Sequence, residues 1–241
     1  MSQDQPASTY KCVLSIGMRC YTEIYLKQLG LKKFSGPFDA VYSHSVENII
    51  YFLENKIEDD HLIHTELMKQ PEIQSLNRTT GYRTIHKKLN FYDETDLART
   101  YHLASFAHHN LNNIETRAHF DRCFERLYKI KNEKIKTLFC LFSHPNKKTD
   151  KILSETDIFT VSRYLSNNFN CHVLVIVFMN FSKTHFNMWK VKYQNELFTY
   201  IFVNNATVEF AQHKNNLQDI FSYMGVKEEN LFTYNDMKPS V

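Results

Sequence analysis

Apolar positions along the chain follow two alternating rhythms. Short, nearly unbroken apolar runs occur at Cys12 to Ile16, Lys136 to Ser143, Cys171 to Met179 and Leu197 to Val203. Between and after them, apolar residues recur every three or four positions, as on one face of a helix. Such spacing predicts helices over Cys20 to Leu29, Val46 to Asn55, Thr116 to Lys131, Glu155 to Phe169 and Asn216 to Met224. A last short strand is expected over Leu231 to Tyr234. Continuous apolar strands alternating with amphipathic helices predict an α/β fold with a mostly parallel central sheet and helices on both faces.

Residues 10–241 are expected to form a single α/β domain, with residues 1–9 a polar, flexible lead-in and residues 56–97 an irregular excursion from the sheet. Within that excursion Leu62 to Leu67 and Tyr82 to Leu89 read as short strands or irregular pieces. His61 and His64 lack a third ligand partner and read as surface histidines, so no metal and no cofactor is expected. The patterns GxGxxG and GxxxxGK[ST] are absent, which removes support for a standard dinucleotide or ATP site.

Charge adds little. Twenty-nine basic against 26 acidic residues leave a net +3, too mild to signal nucleic-acid binding. No apolar run approaches the roughly 18 residues of a membrane span. The five cysteines show no CxxC or zinc-ligand spacing, so a reducing, cytoplasmic setting is expected. Abundant Asn, Lys, Tyr, Phe and Ile fit an AT-rich coding genome, such as that of a large DNA virus or an AT-rich microbe. In the viral case the expected setting is the host cytoplasm.

The candidate chemistry sits at the first strand-to-helix corner. Gly17 reads as the turn after the Cys12 to Ile16 strand, and Arg19-Cys20 as the start of a helix. A thiol there lies at the positive end of a helix and beside Arg19, and both favour the thiolate. A buried packing cysteine is the competing reading. Downstream, the run ending in Phe106-Ala-His108-His109 would bring an imidazole to the rim of the sheet. Adjacent residues of an extended segment point to opposite faces, so only one of the pair would face a given site. Asp39 lies in an apolar setting between Phe38 and Ala40, where a turn or cap role is the plain alternative.

The runs Ser15-Ile-Gly-Met-Arg-Cys20, Leu29-Gly-Leu-Lys-Lys33 and Ser35-Gly-Pro-Phe-Asp39 together resemble the opening of a family described as putative papain-like cysteine peptidases. That family's pattern is roughly S-L-G-x-x-C, then L-G-L-R, then P-F-D with a following aromatic, then F-x-H-D and an Arg-rich helix. Phe106-Ala-His108 and the helix with Arg117, Arg122 and Arg126 match the later parts. His109 stands where the family has Asp, and Ala40 where it has an aromatic.

The resemblance implies Cys20 as nucleophile, His108 as base with His109 as the alternative, and Asp39 as the residue orienting the imidazole. Backbone N–H groups around Gly17, Arg19 and Tyr21 would hold a developing oxyanion. The implied activity is acyl transfer through a thioester, as a peptidase, amidase or esterase-type hydrolase or an acyltransferase acting on a peptide, amide or acyl donor. Two other classes stay open at this point. One is a non-catalytic interaction protein on the same fold, host-directed if viral; the other is a sugar- or nucleotide-handling transferase, because open α/β sheets bind such ligands at the same rim. Substrate, acceptor and oligomeric state are not legible in the sequence.

Overall fold

The computed structural model describes residues 9–39, 41–43, 45–55, 62–66, 82–89, 95, 105–106, 108–144, 153–179, 189–204 and 210–238. The elements run β1 (Cys12–Ser15), α1 (Cys20–Gln28), α2 (Val46–Glu54), β2 (Leu62–Glu66), β3 (Tyr82–His86), α3 (Ile114–Asn132), β4 (Thr137–Ser143), α4 (Glu155–Asn168), β5 (Cys171–Met179), β6 (Trp189–Gln194), β7 (Phe198–Asn204) and α5 (Phe210–Tyr223), with a 3-10 turn at Glu228–Asn230.

The main sheet has the order β1-β4-β5-β7-β6. The first four of these strands are parallel, in registers such as Cys12↔Thr137, Thr137↔Cys171 and Val173↔Phe198. β6 runs antiparallel to β7 at the far edge. Strands β2 and β3 pair antiparallel as a separate two-stranded sheet, and Phe106 adds to it through an antiparallel bridge to Thr84.

Alternation along the strands divides the core into two layers. Leu138, Cys140 and Phe142 of β4 pack with Tyr21 and Tyr25 of α1 and Leu217 and Ile220 of α5. Phe139 and Leu141 face the other way, onto Ile49 and Phe52 of α2, Phe120 and Phe124 of α3, and Ile158 and Val161 of α4. Both faces of β4 and β5 are therefore buried, which is why their sequences read as unbroken apolar runs. The α/β expectation, with a mostly parallel sheet covered on both sides, matches the structure.

Helix ends follow local chemistry. Ser154 and Asp157 form a reciprocal capping box at the start of α4. Asn113 Oδ1 accepts from the N–H groups of Glu115 and Thr116 and starts α3 two residues before the apolar spacing does. Gly30, with φ +73°, ends α1, as the left-handed residue just past a helix commonly does.

Three elements depart from the sequence reading. β6 was not anticipated: Trp189, Val191 and Tyr193 alternate with lysines, as on a half-exposed edge strand, but a bulge between Val191 and Tyr193 breaks the ladder. α5 begins at Phe210 rather than Asn216, because the buried His213 occupies a core position that a polar residue hides from an apolar count. Residues 231–234 form no strand. Phe232 N–H does donate to the Lys11 carbonyl at 2.8 Å, but Asp236 Oδ2 accepts from both Thr233 N–H and Oγ1 and turns the chain away.

Candidate active site

The corner after β1 is built around Gly17 and Thr22. Gly17 has φ +98°, a conformation that side chains disfavour, so the chain turns there at a residue without a Cβ. Its N–H donates to Ser15 Oγ at 3.3 Å, which engages that donor locally. Thr22, fully buried, donates from Oγ1 to the Gly17 carbonyl at 3.2 Å and accepts from Phe142 N–H at 3.3 Å. The β1–β4 ladder ends at Ser15↔Cys140, so the Thr22 hydroxyl takes over a β4 amide that β1 no longer reaches. One hydroxyl thus seats the start of α1 on the carboxyl end of the sheet.

Cys20 is the first residue of α1 and is half-buried, with Arg19 in extended conformation before it. The Arg19 guanidinium lies over the Tyr42 ring, 5.1 Å from its centroid. The segment 41–43 then acts as a strap. Ser43 N–H donates to the Met18 carbonyl at 3.2 Å, and Tyr42 N–H donates to the Ser105 carbonyl at 2.7 Å. Ser105 in turn accepts from His86 N–H through its own hydroxyl at 3.1 Å.

His108 and His109 follow in a turn, not in an extended segment, with His109 N–H donating to the Phe106 carbonyl at 3.2 Å. The turn still separates them: His108 is exposed and His109 half-buried. The His109 ring meets Phe120 edge-on at 5.2 Å and stacks at 6.3 Å from His119 of α3. Burial, then the neighbouring His119 and His108, push the His109 imidazole down to about 4.

Asp39 lies apart from that pair in its described contacts. Its Oδ2 accepts from Gly36 N–H at 2.8 Å and pairs with Lys32 Nζ at 2.9 Å. Lys32 also pairs with Glu23 of α1. Burial raises the Asp39 carboxyl to about 6, against the opposing pull of Lys32 and of the Gly36 N–H. Burial works to lower Lys32, but Asp39 and Glu23 outweigh it and hold its proton above the usual range. The lysine of the Leu29-Gly-Leu-Lys block is therefore the partner of the aspartate of the Pro-Phe-Asp block.

The remaining cysteines are unsuited to nucleophilic work. Burial pushes Cys12 and Cys171 up to about 12, Cys123 to about 11 and Cys140 well above its usual value. Cys123 also receives a 3.1 Å contact from Arg126 Nη2, and its sulfur lies 3.6 Å from His119 Nε2.

Several residues that shape this region escaped the sequence reading. Thr22, Lys32, Tyr42 and Ser43 act through single hydrogen bonds or ion pairs whose partners lie in other blocks of the sequence. His144, at the carboxyl end of β4, sets its ring edge-on against Tyr21 at 4.5 Å and so places an imidazole beside the corner. A histidine straight after an apolar strand was the available signal for it.

Among the described residues no group of three or more His, Cys, Asp or Glu side chains is arranged to hold a metal ion, and no helix is long and apolar enough to cross a membrane. No curated protein and no solved structure matches the chain. A family model does match, over residues 11–181, and those residues carry β1, the corner at Gly17, the strap, the histidine turn and the strands β4 and β5. The chain belongs to the family described as putative papain-like cysteine peptidase.

Proposed function

We propose that the protein is a cysteine hydrolase of the peptidase or amidase type, with Cys20 as nucleophile and His108 as its base. The observation that carries this reading is the strap: Ser43 is bonded to Met18, two residues before Cys20, and Tyr42 to Ser105, three residues before His108. Motif blocks distant in sequence thereby run side by side at the carboxyl end of β1, where α/β sheets commonly hold their ligands.

In the proposed reaction the imidazole removes the thiol proton and Cys20 Sγ attacks the substrate carbonyl carbon. The tetrahedral intermediate collapses as the imidazolium protonates the departing amine, leaving a thioester. Water, deprotonated by the same imidazole, then attacks the thioester, and the released thiolate recovers the proton. The positive end of α1 favours the thiolate. Gly17 N–H is engaged by Ser15, so the oxyanion role passes to the N–H groups of Cys20 and Tyr21 in the first turn of α1. Gly17 and Arg19 support the corner by conformation and by the Tyr42 contact.

Asp39 enters this scheme through the oxygen that Lys32 does not use. Both of its described contacts fall on Oδ2, leaving Oδ1 as the acceptor an imidazole N–H would take. His109, neutral at pH 7 by its burial, is the alternative base. Treatment with an electrophilic thiol probe, with Cys20→Ala as control, tests the proposal: modification of Cys20 ahead of the other thiols supports it, and equally fast modification of Cys20→Ala overturns it.

A further inference from the structure

On the face of the sheet opposite α1, at the edge formed by β7 and β6, a cleft of about 280 Å³ is lined by Glu155, Thr156, Phe159, Tyr193 and Phe198. Two of its aromatic walls are large apolar rings left in solvent: Phe159 is 44% exposed and Tyr193 47%. Exposed aromatic rings that converge on one cleft mark a recognition site more often than scattered ones do. The Tyr193 ring lies nearly parallel to Phe198, at 5.3 Å and 26°, so the pair presents a flat π face. Phe159 sits four residues after Glu155 on α4, on the same side of the helix.

The polar chemistry of the cleft is one-sided. Glu155 supplies a carboxylate, and among the described residues it has no ion-pair partner. Aromatic faces carry negative potential, so carboxylate and rings favour the same kind of guest, a cation. A planar guanidinium suits this combination better than an ammonium. It stacks on a flat ring while its N–H edge forks onto a carboxylate. The volume is also generous for a compact ammonium head alone.

We propose that this cleft binds the arginine side chain of a polypeptide, its guanidinium stacked between Phe159 and the Tyr193–Phe198 pair and bonded to Glu155. The site is separate from the thiol chemistry, since it lies at the edge of the sheet opposite β1.

The test is a titration of the full chain with Nα-acetyl-arginine amide, followed by NMR of the aromatic side chains. Saturable shifts of Phe159 and Tyr193 signals are expected, with the citrulline analogue, neutral but nearly isosteric, failing to produce them. Glu155→Gln, an exposed change, should weaken binding at least about tenfold. Tyr193→Phe should keep it, whereas Tyr193→Leu should lose about fivefold through the missing π face. Cys20→Ala should bind as the unaltered protein does. Equal binding of the citrulline or lysine analogue, or full affinity in Glu155→Gln, overturns the assignment, as does the absence of saturable shifts at Phe159 and Tyr193. Because Glu155 is exposed, that arm is informative even if Tyr193→Leu fails to fold.

Discussion

Arg126 reaches across 91 residues of sequence to place Nε 3.1 Å and Nη2 2.9 Å from the carbonyl oxygen of Ser35. Arg126 is buried, at 6% exposure, and its Nη2 also contacts Cys123 Sγ. A forked donor on one carbonyl fixes the start of the Ser35-Gly-Pro-Phe-Asp39 block against α3. The Arg-rich helix of the family pattern thus has a structural duty that does not require Arg126 to touch a substrate.

Replacing Arg126 by Gln should cost about 1–3 kcal/mol, because a partly buried carbonyl loses charged donors and a neutral amide cannot span both positions. Arg126→Lys should recover part of that through one ammonium donor. Urea unfolding midpoints of the two variants check this. Midpoints equal to the parent's in both variants would show that the fork carries no net weight.

Thr22→Val keeps the shape of the side chain and removes its hydroxyl. Phe142 N–H then loses its acceptor in the core, and the Gly17 carbonyl loses a donor, an expected cost of about 1–3 kcal/mol. Hydrogen exchange at the Phe142 amide should quicken more than at its β4 neighbours. Uniform acceleration along β4 would mean general loosening and no special bond.

These two residues show where sequence reading stops. Buried strands such as Cys171–Met179 and amphipathic helices such as Ile114–Asn132 were legible because solvent exclusion writes a period into the sequence. The corner at Gly17 was legible because a strand, a glycine and a helix start occur in a row. Thr22 and Arg126 left no such trace, since one hydrogen bond to a partner over a hundred or ninety residues away has no period. Trp189–Gln194 was missed for the converse reason: an edge strand exposes half its residues, and its bulge interrupts the alternation. The pairing of Asp39 with Lys32 was hidden because both residues also read well as ordinary turn and surface positions.

Asp39 makes a pH prediction with a definite sign. Its carboxyl titrates near 6 when folded against 3.8 as the ordinary value, burial being the main cause. Between those values the folded protein holds the proton more tightly than the unfolded chain. Stability from this group is therefore greatest below pH 4 and falls as pH rises through 6, by up to about 3 kcal/mol. Asp39→Asn should remove that slope, so the variant gains relative to the parent between pH 4 and 6. A constant difference across that range in urea titrations would refute it.

His109 works in the opposite direction. Its imidazole titrates near 4 when folded against 6.5 as the ordinary value, because it is buried beside His119 and His108. The unfolded chain takes up the proton first, so stability is fully present above pH 6.5 and declines as pH falls toward 4, by up to about 3 kcal/mol. Over pH 4–6 the two groups partly cancel in the parent protein. His109→Phe keeps a ring against Phe120 and should expose the Asp39 slope alone, seen as stability that rises on acidification. If the parent and His109→Phe show the same pH profile, the imidazole is not held neutral.

The cysteine set gives the sharpest kinetic expectation. Four of the five thiols are held away from the thiolate by burial, Cys123 at about 11, Cys12 and Cys171 at about 12, and Cys140 well above its usual value. Alkylation proceeds through the thiolate, so iodoacetamide at pH 7 should modify Cys20 first, with Cys171, the other half-buried cysteine, well behind. If His108 is the base, His108→Ala should slow labelling of Cys20 by about tenfold while leaving Cys171 unchanged, since only the paired thiol loses its proton acceptor. His109→Ala should have the smaller effect; the reverse order would transfer the base role to His109. Peptide mapping after timed quenching reads all five sites at once, and labelling of Cys20 no faster than Cys171 would remove the case for an activated nucleophile at the Gly17 corner.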